Sequence, residues 1–194
     1  MGVNDAFWSD CIGVPTNYQT RSNDQVKEAL FGILKDKLLV TSFPEPVTLG
    51  RSAKGYIGIR NANVGGGKTC FSTEIKCIRP FLSNSSCDGS GDNGVVVGGY
   101  DASKKVFVSQ SDPNHNWFTF QPSYDIRAAD RVVFDALINV QGVSPDHYVM
   151  ELNVYRQPDF LSCVAIGNPP DFGDSRTALY ANKSFILTVA SQLR

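Results

Sequence analysis

The chain has 194 residues, 18 of them Lys or Arg and 19 Asp or Glu, for a formal net charge of -1. That length suits a domain able to bury its own core, and balanced charge without a Lys/Arg run argues against nucleic acid as a partner. Gly (17) and Pro (10) interrupt short apolar runs throughout, which favours all-β architecture, and every apolar run falls short of the roughly 18 residues that a membrane span needs.

Residues 1–22 read as an extended lead-in, with Phe7 and Trp8 able to dock on a domain. Met1 and Gly2 before a polar stretch read either as a trimmed beginning, from which a secretory or anchoring segment has been cut, or as the native start of a cytosolic protein. A helix is expected over residues 24–39. Ser22, Asn23 or Asp24 would cap it, and Val26, Leu30, Ile33 and Leu34 recur at three- and four-residue spacing, with Leu38 extending the stripe. Residues 1–43 thus divide off as lead-in and helix, and residues 44–194 as a β-sandwich domain.

Past Pro44 and Pro46 the pattern changes. Residues 47–49 read as a short strand, and 56–59 and 71–78 as strands joined by a Gly-rich hairpin loop. In the second of these, Phe71, Thr73, Ile75 and Cys77 face one way, with Ser72, Glu74 and Lys76 opposite. That period of two marks a half-buried strand. A polar loop over 83–94 precedes short strands at 95–97, 106–108 and 117–120. The strongest signals come late: 131–140, with Val132, Phe134, Ala136, Ile138 and Val140 inward, and 147–155, with Tyr148, Met150, Leu152 and Val154 inward and Glu151 and Asn153 outward. An excursion over 156–181, rich in Pro, Asp and Gly, includes a candidate strand at 161–166. Residues 183–190 close the chain as a final strand.

The stretch WFTFQPSYDIRAADRVVFDALINVQGVSPDHYVMELNVYR, followed by KSFILTVAS, resembles the immunoglobulin-like domains of prokaryotic surface proteins. Tyr148 stands where such sandwiches place their corner tyrosine. Further back, VTLGRSAKGYIGIRNANVGGGKTCFSTEIKC resembles the first half of such domains in archaeal surface proteins. A helix leading straight into a sandwich resembles archaeal type IV pilin-like subunits, although the hydrophobic helix and processing site of that family are absent from this sequence. The resemblance implies an extracellular, non-enzymatic subunit of a surface filament or adhesion protein. Self-assembly would run through the 24–39 helix and the 156–181 loop. The alternatives are a glycan- or receptor-binding module of adhesin or viral-spike type and, for the fold, a jelly roll in place of an immunoglobulin-like Greek key.

Five cysteines occur, none in a C-x-x-C pair, and with only two histidines a zinc site is not expected. Cys77 and Cys87 flank a loop that a disulfide can close, and an odd count leaves one cysteine over. Asn84 and Asn182 begin N-x-[ST] sequons, with Asn182 just ahead of a strand. Asp88, Ser90 and Asp92 offer oxygens at alternate positions, as a weak Ca²⁺ site would, but Gly99 stands where an EF-hand carries its closing Glu. No other cofactor is expected. Gly65-Gly66-Gly67-Lys68-Thr69 mimics the end of a phosphate loop. Ala62 stands where that motif needs Gly, however, and a strand follows instead of a helix. Trp117, Phe118, Phe120 and Tyr124 form an aromatic cluster readable as core or as a ligand-stacking face. His115 and His147 lie in turns with no nucleophile elbow, so no catalytic set is expected.

Overall fold

The computed structural model describes residues 37–63, 65–81, 87, 94–101, 103–104, 106–108, 115–157, 163 and 178–192. Its elements are strands: β1 (Leu38–Ser42), β2 (Val47–Thr48), β3 (Ala53–Arg60), β4 (Lys68–Pro80), β5 (Val95–Asp101), β6 (Val106–Phe107), β7 (Phe118–Thr119), β8 (Ser123–Arg127), β9 (Arg131–Ile138), β10 (Asp146–Gln157) and β11 (Ala178–Ala190). The protein is all-β. The strands join in an 11-stranded sheet of order β1-β3-β9-β7-β5-β4-β10-β11-β2, with β6 on β5 and β8 on β4.

Two halves meet at a single parallel pair, Gly98 opposite Phe118, between β5 and β7. The sheet curls there, and its halves face each other across one core. Phe43, just past β1, stacks on Phe185 of β11 at 4.6 Å and meets Phe118 edge-on at 5.5 Å. Trp117 meets Tyr148 of β10 edge-on at 5.7 Å. Ile57 and Ile59 of β3, Ile75 of β4, Ile138 of β9 and Met150, Leu152 and Val154 of β10 are fully buried between the halves. Burying each such side chain contributes about 1.5–3 kcal/mol.

The alternation read into β9 and β10 matches the burial for Phe134, Ala136, Ile138, Tyr148, Met150, Leu152 and Val154. Asn153 differs, because it is buried on the opposite face. β4 was expected to be half-buried, yet Ser72 and Glu74 are buried as well as Phe71 and Ile75. A second, small cluster of Tyr100 and Phe107, joined by Tyr155, accounts for this by adding cover on the outer side. There Ser72 and Ser123 share a hydroxyl bond of 2.7 Å, and Asn153 Nδ2 and the Tyr155 hydroxyl donate to Glu74 Oε1 at 3.3 and 3.2 Å.

Other expectations need correction. The helix over 24–39 cannot reach its proposed end, because Leu38 and Leu39 belong to β1, paired antiparallel with β3; residues 24–36 lie outside the described residues. β3 and β4 form no hairpin. β3 pairs with β1 and β9, whereas β4 pairs with β5, β8 and β10, so the Gly-rich loop crosses from one half to the other. β8 was not anticipated. β11 begins at Ala178, which shortens the excursion at its far end. Of the candidate strand at 161–166, Cys163 alone is described.

Pairing register sets the poles of the fold. Arg60 ends β3 opposite Arg131, which opens β9. Lys68 opens β4 opposite Arg127, which ends β8. Arg156, near the end of β10, lies opposite Ala178. Lys37 directly precedes β1, and its carbonyl accepts from the Arg60 amide at 3.0 Å. All of these strand ends therefore gather at one pole.

Candidate functional site

At that pole the sheet sets like charges side by side. The cross-strand pairs Arg60–Arg131 and Lys68–Arg127 place cation opposite cation, an arrangement that destabilises a sheet unless an anion intervenes. Lys37 and Arg156 add to the field. Among the described residues the ion pair present is Lys54–Asp135 at 3.7 Å, so none of these cations is matched. Asp125 and Asp130, the acids alongside, accept backbone amides instead, from Cys163 at 2.9 Å and Arg131 at 2.8 Å.

Tyr180, near the start of β11, bridges the halves. Its hydroxyl donates to the Arg60 carbonyl at 2.6 Å and accepts from the Ala62 amide at 2.8 Å. Lys37 Nζ donates to the Tyr180 carbonyl at 3.1 Å and sits 4.6 Å over its ring. Burial pushes the Tyr180 phenol upward, opposed by the Ala62 amide and by the charges of Arg156 and Arg60. Arg60 Nε is buried with no hydrogen-bond partner among the described residues. A cleft of about 380 Å³ opens here, lined by Lys37, Asn61, Ala62, Asn63, Arg156, Leu179 and Tyr180. A second, of about 390 Å³, lies between Gly66, Gly67, Lys68, Arg127 and Ala128. Gly66 and Gly67 both hold left-handed backbone, with φ of 79° and 82°. Lys68 opens a strand here, so a strand follows this Gly-rich stretch as expected, but not as the second arm of a hairpin.

Two disulfides are formed. Cys77–Cys87 is the pair expected from sequence; Cys70–Cys163 was not anticipated and ties the excursion to β4 at this pole. Cys70, Cys163 and Asp125 lie close together, but oxidised sulfurs are not thiolate ligands, and the trio is no metal site. Disulfides are the mark of an oxidising compartment. No helix among the described residues is long and apolar enough to cross a membrane.

The residues singled out from sequence fall elsewhere. Trp117 and Phe118 are buried in the core, and Phe120 and Tyr124 pack against Phe134, Tyr124 stacking on it at 4.7 Å. Trp117 and Phe118 are therefore closed to a ligand, whereas Phe120 and Tyr124 are half-buried. Asn84, Asp88, Ser90 and Asp92 lie outside the described residues. Asn182 sits within β11, opposite Asn153, with an exposed side chain, not ahead of the strand. At the far pole His147 Nδ1 lies 2.9 Å from the Thr188 hydroxyl, which donates to Glu45 Oε1 at 2.5 Å. Thr188 has one proton to give, so His147 donates from Nδ1 in turn. Sequence reasoning missed the cationic pole because its members are scattered from residue 37 to residue 156. Charge at strand ends was the one available signal.

No family model and no curated protein matches the chain. Among solved structures it is similar to the ASH/PapD-like domain 7 of human CEP192, at 13% identity and a TM-score of 0.36, covering 77% of this chain and 78% of that one. It is also similar to a family 123 glycoside hydrolase from Clostridium perfringens, at 8% identity and a TM-score of 0.33 over 76% of this chain. The chain spans 22% of that enzyme's length.

Proposed function

We propose that this is an extracellular, non-catalytic binding module of immunoglobulin-like topology that holds an anionic glycan at its cationic pole. The strand order supports the topology. Read as an immunoglobulin-like sandwich, β1-β3-β9-β7 corresponds to one sheet, A-B-E-D, and β5-β4-β10-β11 to the other, C′-C-F-G. The Tyr148 hydroxyl bond to the Ser144 carbonyl fits the corner tyrosine of such sandwiches.

One observation carries the function: cation faces cation at Arg60–Arg131 and Lys68–Arg127, and none of these four enters an ion pair among the described residues. A bound polyanion would relieve that repulsion, and the disulfides favour an oxidising setting where acidic glycans are the common polyanions. The filament-subunit reading drew on the 24–39 helix and the 156–181 loop, most of which lie outside the described residues.

The test is calorimetry with a sulfated glycosaminoglycan across a salt series. Binding should weaken steeply with salt, and the double variant Arg127→Glu, Arg131→Glu should lose at least about tenfold in affinity, at roughly 1 kcal/mol per exposed charge contact. Absence of binding at low salt, or an unchanged affinity in the variant, refutes the reading.

A further inference from the structure

We infer that the Tyr180 cleft is a carboxylate subsite that takes a single acidic sugar residue. The inference rests on the glycan-binding reading above and adds the class of group recognised. Donor and acceptor inventory carries it. Asn61 turns both ends of its amide to the protein: its Nδ2 donates to the Ile126 carbonyl at 2.9 Å, and its Oδ1 accepts from the Asn63 amide at 3.0 Å. Asn63 Oδ1 accepts from the Gly65 amide at 2.9 Å, which leaves its NH₂. The Tyr180 hydroxyl is occupied on both sides by backbone of the Arg60–Ala62 turn.

What remains for a ligand is dominated by charged donors. Lys37 has used one of its three protons on the Tyr180 carbonyl. The exposed guanidinium of Arg156 makes no hydrogen bond or ion pair among the described residues. A neutral sugar would leave the charges of Lys37 and Arg156 unanswered, whereas an anion meets both. An acceptor-only ligand suits it, and a planar carboxylate matches the Arg fork in two parallel bonds. Leu179, 53% exposed at the rim, offers an apolar wall for the C–H face of a sugar ring. At about 380 Å³ the cleft lies within the range of about 300–1,000 Å³ usual for small-ligand sites.

The experiment is an NMR titration of the full chain, following the Leu179 methyls and the Arg156 Nε–H. The probes are methyl glucuronoside, methyl glucoside and inorganic sulfate. Saturable shifts are expected with the glucuronoside alone, and Arg156→Gln and Lys37→Gln should each weaken them at least about tenfold, the loss of one charged hydrogen bond. Arg156 is exposed, so its variant should keep the fold, which the unchanged remainder of the spectrum would verify. Sulfated-polymer binding should largely survive Arg156→Gln, because Lys68, Arg127 and Arg131 remain. No saturable shift up to about 10 mM glucuronoside, a range that registers a millimolar Kd, overturns the subsite. If the polymer still binds, the module reading stands; if neither binds, both fall. An equal response to sulfate overturns the assignment to a carboxylate.

Discussion

Tyr148 places its hydroxyl 2.5 Å from the Ser144 carbonyl, four residues back, while its ring lies edge-on to Trp117. Tyr148→Phe keeps the ring and deletes the bond. Urea denaturation should report a loss of about 1 kcal/mol, and a change within about 0.3 kcal/mol would show the corner to be dispensable. This bond is within reach of sequence reading because it joins residues close together in the chain. The roles of Trp117 and Phe118 were not, because an aromatic run has no alternation that separates core from ligand face.

Two glycines separate backbone freedom from lack of space. At Gly99, φ is 82°, and an added Cβ would stand 2.1 Å from the Thr73 carbonyl oxygen and 2.8 Å from Phe120 Cζ. At Gly142, φ is 72°, with nothing within 4 Å. Gly142→Ala should therefore cost about 1–2 kcal/mol, the strain of left-handed backbone alone. Gly99→Ala adds overpacking of a further 1–3 kcal/mol or so. Chemical denaturation of both variants would compare them, and equal losses would refute the distinction.

At the scale of elements, β9 and β10 were readable because an exposed or polar position follows each buried one. β4 obeyed the same alternation in its residue types, but its polar face is covered too, and sequence periodicity does not register a covering layer contributed by β5 and β6. β1 shows the opposite difficulty. Leu38 continued a helical stripe in the sequence, yet pairing with β3 makes it a strand; tertiary contact outweighed local pattern. The Gly-rich loop suggested a hairpin, but glycines mark where a chain can bend and do not say which strands they join.

The disulfides act on elements very differently. Cys70 and Cys163 are 93 residues apart, Cys77 and Cys87 only 10. Chain entropy assigns about 4.7 kcal/mol to closing a loop of about 100 residues and about 3 kcal/mol to one of about 15. The pair Cys70→Ser, Cys163→Ser should thus lower thermal stability more than Cys77→Ser, Cys87→Ser. Melting curves that rank them in reverse would count against the entropic account. The longer bridge escaped sequence reading because five cysteines allow many pairings, and only proximity in the fold selects one.

Across the whole molecule, charge is the property least legible from the chain. A net charge of -1 conceals a pole where Lys37, Arg60, Lys68, Arg127, Arg131 and Arg156 converge, because antiparallel pairing brings distant strand ends together. Titration at high pH is also a property of the whole fold. Burial is the largest influence on the phenols of Tyr124, Tyr148, Tyr155 and Tyr180 and raises each above its usual 10.0. Above about pH 10 the unfolded chain releases these protons and the folded chain retains them. The unfolded state then binds fewer protons, so stability falls as pH rises. Short denaturant melts at about pH 9 and pH 11 should show this decline, and Tyr155→Phe should make it shallower. A flat profile would mean that the phenols titrate alike in both states.

Lys37 and Ala190 stand at opposite poles, since β1 runs away from the cationic pole and β11 ends at the far one. Tension applied between those two points would run along the strands. It would load the rungs between β1 and β3 in parallel, together with those between β2 and β11, and would not peel them one at a time. Rungs loaded in parallel must fail together, so the domain should resist stretching along this axis far better than across it.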